Sequence, residues 1–212
     1  MEVFRRTILA WHEQNARDYP WRHATTCYQR TIAELLLQRT QAATVARFYP
    51  AFIREYPSWE RLSQAREEDL QDFLRPIGLW RKRARRLVEL AVVMVGRKGQ
   101  FPSTREELEQ LPGVSQYMAS AVLLLCHGKR EPLVDVNTAR VLERVFGRRK
   151  LADIRYDPFL QDIAQLTVSA GDPIALSWAM LDLAAAVCLP TVPKCIDCPL
   201  VENCGLGRGN FE

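Results

Sequence analysis

The chain has 212 residues, 48% hydrophobic and 25% charged, a composition near the globular average that excludes a disordered chain and a membrane-embedded one. That length lets one or two domains each bury a core. The net charge of +4, from 29 basic and 25 acidic side chains, does not announce a nucleic-acid partner, so the placement of the charges has to decide.

Apolar residues recur at helical period through nearly the whole chain, and sustained β-branched alternation is absent, which predicts an all-α fold. Val3, Ile8, Leu9 and Trp11 mark a first helix, followed by the loop Asp18-Tyr19-Pro20-Trp21. Tyr28 to Gln38 reads as a strongly apolar second helix, and Gln41 to Tyr56 as a third that Pro50 should kink or break. Further helices are predicted at about 58–64, 67–75, 80–97, 104–111, 115–127, 136–146, 156–169 and 173–187. Ser103-x-x-Glu106 and Thr104-x-x-Glu107 both fit a capping box at the start of one of them. No internal repeat or long linker separates tandem domains; two lobes, if present, interleave.

Four of the six cysteines, Cys188, Cys195, Cys198 and Cys204, crowd into seventeen residues, whereas Cys27 and Cys126 stand alone in helical stretches as expected free thiols. The opening Met-Glu-Val-Phe-Arg-Arg lacks the apolar region of a secretory signal, and no apolar run is long enough to span a membrane. A cytoplasmic, reducing compartment is therefore expected, where such a cysteine cluster is more often a metal site than a disulfide framework. Zinc bound by four thiolates usually takes two short Cys-x-x-Cys knuckles, and only one is present; one loop delivering four unevenly spaced thiolates suits a [4Fe–4S] cube.

The corner Leu111-Pro112-Gly113-Val114-Ser115 joins two predicted helices. Proline ends one helix, glycine accepts positive φ, and the next helix starts at once with unpaired amides. Several N–H groups pointing outward at a positive helix terminus would bind phosphate without reading a base. About twenty residues on, Asp135 stands where the extended Pro132-Leu133-Val134 turns into a helix, a natural N-cap.

Together, Leu111 to Ala119, the segment Leu133-Val134-Asp135-Val136-Asn137 and the four-cysteine tail resemble the helix-hairpin-helix DNA glycosylases related to endonuclease III and MutY, in the same order and over essentially the whole chain. The resemblance implies a two-lobed fold: residues 25–132 form a six-helix lobe carrying the hairpin, and residues 1–24 with 133–212 form an iron–sulfur lobe. It implies that the four cysteines hold a [4Fe–4S] cluster that folds their loop, with Lys194 near phosphate, and that a monomer acts on double-stranded DNA near the nucleoid. Asp135 would stabilise the oxocarbenium-like sugar or steer water onto it, after the target base has left the stack.

Tyr117 stands where the endonuclease III branch has a lysine that attacks the sugar as an amine. A phenol forms no Schiff base, so the departure implies a monofunctional enzyme, similar to small thymine–DNA mismatch glycosylases; MutY-type enzymes typically show serine here. Arg30, Glu34, Gln38 and Gln41 fall at about 0°, 40°, 80° and 20° around a helix, one narrow polar stripe that is either a solvent face or a cleft wall. The resemblance favours the cleft, with Glu34 facing Asp135 beside Tyr117, raised in pKa among leucines and able to protonate a leaving base. Gln41 would fill the gap left by the flipped base.

Trp80-Arg81-Lys82-Arg83-Ala84-Arg85-Arg86 carries five positive charges without an acid, just after Ile77-Gly78-Leu79, a corner that resembles a second hairpin turn. Arg81 and Arg83 are expected to track phosphates, with Leu79 or Trp80 as wedge or pocket residue. Arg144, Arg148, Arg149 and Lys150 form a second cluster. Base identity depends on pocket residues, among them Tyr28, Leu35, Ser120 and Trp80. Thymine or uracil opposite guanine is the first expectation. Adenine opposite guanine or oxidised guanine is the second, supported by Glu34 and the MutY-like Gln38-Arg39-Thr40-Gln41, and opposed by a chain that stops eight residues after Cys204. A non-catalytic iron–sulfur lesion binder is the third.

Overall fold

Thr26 opens the first long buried helix by a complete capping box: its side chain accepts from the Gln29 backbone N–H, and the Gln29 side chain returns to the Thr26 backbone. A computed structural model describes residues 1–209, and every regular element among them is helical. In chain order the helices are α1 (Glu2–Asn15), α2 (Cys27–Leu37), α3 (Ala42–Glu55), α4 (Trp59–Ser63), α5 (Glu67–Leu74), α6 (Trp80–Gly96), α7 (Arg105–Glu109), α8 (Gln116–Leu125), α9 (Val136–Phe146), α10 (Pro158–Val168) and α11 (Pro173–Ala186). Short 3-10 turns lie at Pro20–His23, Arg75–Ile77, Cys195–Asp197 and Val201–Asn203. No described helix is long and apolar enough to cross a membrane.

Two compact units result, Asp18–Gly128 and Met1–Arg17 with the chain from Lys129 onward. The divisions fall at 17/18 and 128/129 rather than 24/25 and 132/133, for two local reasons. Trp21 packs edge-on against Tyr49 of α3 at 5.9 Å, which draws residues 18–24 into the first unit. Arg130 donates to the carbonyls of Val168 and Gly171, each at 2.9 Å, which holds residues 129–132 in the second.

In the Asp18–Gly128 unit, α8 is apolar around its circumference and is buried continuously from Met118 to Leu125, the pattern of a central helix. Ile32 and Leu36 of α2, Phe52 of α3 and Leu87, Leu90 and Met94 of α6 complete its core. Truncating any of these to alanine would cost about 2–5 kcal/mol. Pro50 does not break α3, contrary to expectation. Its ring is exposed, so the carbonyl it orphans can turn to water, while buried Val45, Tyr49 and Phe52 hold the helix on both sides.

The other unit packs α1 and α9–α11 around Phe4, Ile8, Leu142, Met180 and Leu183. Asp182 of α11 is fully buried, accepts from Arg17 N at 3.1 Å and Arg17 Nε at 2.7 Å, and pairs with His12 Nε2 at 3.1 Å. A buried carboxylate demands such partners, and this demand ties α1 to α11 across most of the sequence.

Candidate functional site

Thr104 rather than Ser103 caps α7, accepting from Glu107 N and donating to Glu107 Oε2 at 3.0 Å. Beyond α7 the chain turns through Leu111-Pro112-Gly113-Val114 and restarts as α8, capped by Ser115 Oγ, which accepts from Met118 N. Gly113 has φ +76°, and an added Cβ would meet Arg86 only at ordinary contact distance, so backbone conformation and not space calls for glycine. Arg105 clamps the two helices, donating to the Gln116 carbonyl at 3.2 Å and to Ser120 Oγ at 3.1 Å. The corner offers fewer outward amides than its sequence suggests. Val114 N–H is consumed by the Leu111 carbonyl, whereas the N–H groups of Gly113 and Ser115 take no partner among the described residues. The aliphatic part of the Arg86 side chain lies beside Gly113.

The polar stripe predicted on α2 does not survive. The helix ends at Leu37, Arg39 takes φ +57°, and Gln41 becomes the exposed N-cap of α3, so the helical angles for Gln38 and Gln41 do not apply. Arg30 turns inward and donates to the carbonyls of Ala24, at 3.1 Å, and of Leu125. Glu34 lies half-buried in a seam between α2 and α8 lined by Arg30, Thr31, Met118, Ala121, Val122 and Cys126 among others, with no room for a water molecule. Tyr117, half-buried, is the second residue of α8, directly after the hairpin. The same helix pair thus carries Glu34 and Tyr117. Tyr28, Leu35 and Ser120 are core residues rather than pocket walls; the Tyr28 hydroxyl donates to the Tyr56 carbonyl, and burial first of all pushes its pKa up.

After Ile77, Gly78 has φ +72° and Leu79 φ +53°, and α6 begins. Leu79 projects with half its surface exposed. Trp80 does not: it packs against the core with the guanidinium groups of Arg75 and Arg81 over its ring at 4.6 and 4.1 Å, which removes it as a wedge. The five charges also divide. Arg81, Lys82 and Arg86 are exposed and form no ion pair among the described residues; Arg85 pairs with Glu89 at 2.8 Å. Arg83 is buried, contrary to its expected phosphate role, with its guanidinium satisfied by backbone and Thr40 oxygens. Burial lowers its pKa.

In the other unit, Asp135 caps α9 through Oδ1, which accepts from the N–H groups of Asn137 at 2.9 Å and Thr138 at 2.8 Å. Thr138 Oγ1 accepts from the Asp135 N–H and completes the capping box. Oδ2 is held by Asn137 Nδ2 at 2.8 Å. Arg140 donates to Asn137 Oδ1 and then to the carbonyls of Cys188 and Ala184. Asn137 and Arg140 were not singled out from sequence, although their i, i+3 spacing puts them on the face below the cap. The result is a half-buried carboxylate fixed at both oxygens.

Arg144 donates to Cys188 Sγ at 3.3 Å and to the carbonyls of Leu189 and Pro190. Arg149 pairs with Glu143, so the second basic cluster is not acid-free and only Arg148 and Lys150 remain exposed without an ion pair among the described residues. Burial pushes the Cys198 thiol up to about 11, and the thiols of Cys188, Cys204 and Cys195 add to the rise. Among the described residues no three His, Cys, Asp or Glu side chains converge on a single-ion site. Cys27 and Cys126, expected to stand alone, meet as a hydrogen-bonded pair of thiols.

Residues 32–167 match the model of the HhH-GPD superfamily of base excision DNA repair proteins. Over 209 residues the chain is 37% identical to the thymine-DNA glycosylase of Aeropyrum pernix, covering 96% of this chain and 94% of that one. It is 34% identical to the human adenine DNA glycosylase over 219 residues, 95% of this chain but 39% of that protein. A solved thermostable thymine-DNA glycosylase superposes with a TM-score of 0.91 at 32% identity, covering 98% of this chain and 96% of that one. Matched in sequence across most of its length and in fold across nearly all of it, the chain belongs to the HhH-GPD superfamily of base excision DNA repair proteins.

Proposed function

We propose that the protein is a monofunctional DNA glycosylase of base excision repair that flips a thymine or uracil mispaired with guanine out of duplex DNA and hydrolyses its N-glycosidic bond. The observation that carries this reading is the Asp135 carboxylate, held by the start of α9 through one oxygen and by Asn137 through the other. Its negative charge opposes the positive charge that builds on the sugar as the C1′–N bond lengthens. The base leaves with the bonding electrons, water adds to C1′ and loses a proton, and an abasic sugar remains. Tyr117 has no amine, so strand cleavage through a Schiff base is not expected.

Similarity to thymine- and thymine/uracil-DNA glycosylases over nearly the full chain supports the choice of base. Adenine removal is the second reading, favoured by the likeness to the human adenine glycosylase and by Glu34, a half-buried carboxyl group in the α2–α8 seam that would serve as proton donor to a leaving purine. The test is a set of duplexes carrying G:T, G:U, A:G and A opposite oxidised guanine, treated with alkali after incubation. Cleavage at G:T and G:U without alkali-independent nicking is expected. Cleavage confined to adenine reverses the order, a borohydride-trapped adduct removes the monofunctional assignment, and binding without cleavage leaves a lesion binder.

Cys188, Cys195, Cys198 and Cys204 would hold a [4Fe–4S] cluster. The donor chemistry suits such a group: four cysteine sulfurs on one loop of seventeen residues, with an N–H from Arg144 on one of them. Such a cluster takes one thiolate per iron and does not require the sulfurs to meet at one point. When bound, it supplies ligand bonds that fold the loop.

Duplex binding as a monomer would fall to the exposed cations and the hairpin. Replacing Arg81 and Arg86 together with glutamine should weaken binding about equally on matched and mismatched DNA and lower the slope of log K against log salt by about 2. A loss confined to one mismatch would contradict a phosphate role.

A further inference from the structure

Arg83 belongs to the charge run at the start of α6, yet its side chain points into the protein and is 6% exposed. Its Nη1 donates to the carbonyls of Ile77 at 3.2 Å and Gly78 at 2.9 Å; its Nη2 donates to the Gln38 carbonyl at 2.8 Å and to Thr40 Oγ1 at 3.0 Å. Thr40 Oγ1 itself reaches the Ile77 carbonyl at 3.2 Å. One planar cation therefore binds two turns distant in sequence. Each turn holds a side chain in the left-handed region, Arg39 at φ +57° and Leu79 at φ +53°. That conformation is unfavourable for residues with a Cβ and persists only where the surroundings over-determine it.

All of the acceptors on Arg83 are neutral, so its charge is buried without a carboxylate. An apolar side chain would suit this face of α6, which otherwise presents Ala84, Leu87 and Leu90 to the core, at a lower desolvation cost. What Arg83 provides instead is geometry. Outward from the two braced turns stand Gln41, exposed and making no side-chain cap bond, and Leu79, a large apolar side chain 50% exposed.

We propose that Arg83 is a positioning residue that locks the Gln38–Gln41 turn to the Ile77–Leu79 turn, so that Leu79 and Gln41 enter a duplex as one unit, the leucine parting the stack and the glutamine taking the vacated place. This rests on the reading of the protein as a base-flipping glycosylase. Lysine cannot replace the fork, because an ammonium is a point charge that does not span four acceptors in a plane. Thr40→Val keeps the cation and removes one acceptor, and so serves if Arg83→Lys fails to fold.

The experiment uses the full chain and a duplex with 2-aminopurine next to a G:T mismatch. Fluorescence reports unstacking, binding to matched duplex across a salt series reports phosphate contacts, and single-turnover release reports chemistry. Both variants should bind matched DNA with wild-type affinity and salt slope, show a reduced fluorescence rise at the mismatch, and release base about tenfold or more slowly, Thr40→Val the less affected. A wild-type fluorescence rise in either folded variant overturns the proposal. So does a salt slope lowered by about one with fluorescence unchanged, which would make Arg83 a phosphate contact. A wild-type protein that unstacks no duplex also overturns it. If the wild type unstacks the mismatch but releases no base, the glycosylase reading fails alone, and the fluorescence of Thr40→Val still decides the brace.

Discussion

Asp135→Asn should release base from G:T duplexes on the order of 10²-fold or more slowly in single turnover, while binding the same duplexes and melting close to wild type. The separation follows from the division of labour between the two carboxylate oxygens. Oδ1 accepts the two backbone N–H groups that start α9. Asparagine is as good an N-cap as aspartate, so its amide oxygen can keep both bonds and the stability change should stay within about 1 kcal/mol. What asparagine lacks is the negative charge opposed to a cationic sugar, together with the second oxygen that accepts from Asn137 Nδ2. Asp135→Ala is the informative companion, because it removes cap and charge together and should also lose about 1 kcal/mol of stability. Rates that track melting temperature across the two variants would make Asp135 structural, and wild-type release by Asp135→Asn would sink the catalytic assignment outright.

Elements set by local chemistry were legible in the sequence. The hairpin was readable because proline, glycine and a serine cap each act within their own turn, and Asp135 as a cap for the same reason. Arg83 was misread because a charge run looks like a solvated face. Its spacing carried the missed signal: Arg83, Leu87, Leu90 and Met94 recur at helical period on the buried side of α6. The turn after Leu37 had no local marker, since Arg39 enters the left-handed region without glycine or asparagine, held there by hydrogen bonds to a helix more than forty residues away. Trp80 and Leu79 exchanged expected roles for a similar reason. Which of two adjacent apolar residues faces out was set by the positive φ at Leu79 and by two arginines stacking on the tryptophan. Leucine at φ +53° could not be foreseen from composition.

The cysteine loop carries the second large effect. Between Cys188 and Gly209 only Leu200 and Cys204 are buried, Ile196 and Val192 are 95% and 76% exposed, and the regular structure is two short 3-10 turns. Apolar burial on that scale cannot offset the entropy of ordering about twenty residues, and the metal–thiolate bonds of the proposed cluster would supply the difference. Cys198→Ala should therefore yield protein that lacks the visible absorption and the iron and sulfide of a cluster, with the loop cut by trypsin after Lys194 and Arg208. Helices α1 and α9–α11 should persist in circular dichroism, because their core draws only Leu200, Cys188 and Cys198 from the loop. Base release should fall as well. The Cys188 carbonyl accepts from Arg140, which holds Asn137, which in turn holds Asp135 Oδ2, so a loosened loop unsettles the carboxylate. A wild-type protein with one zinc per chain and no sulfide would replace the cluster by a zinc site. Full protease resistance in Cys198→Ala would show that the loop folds without any metal.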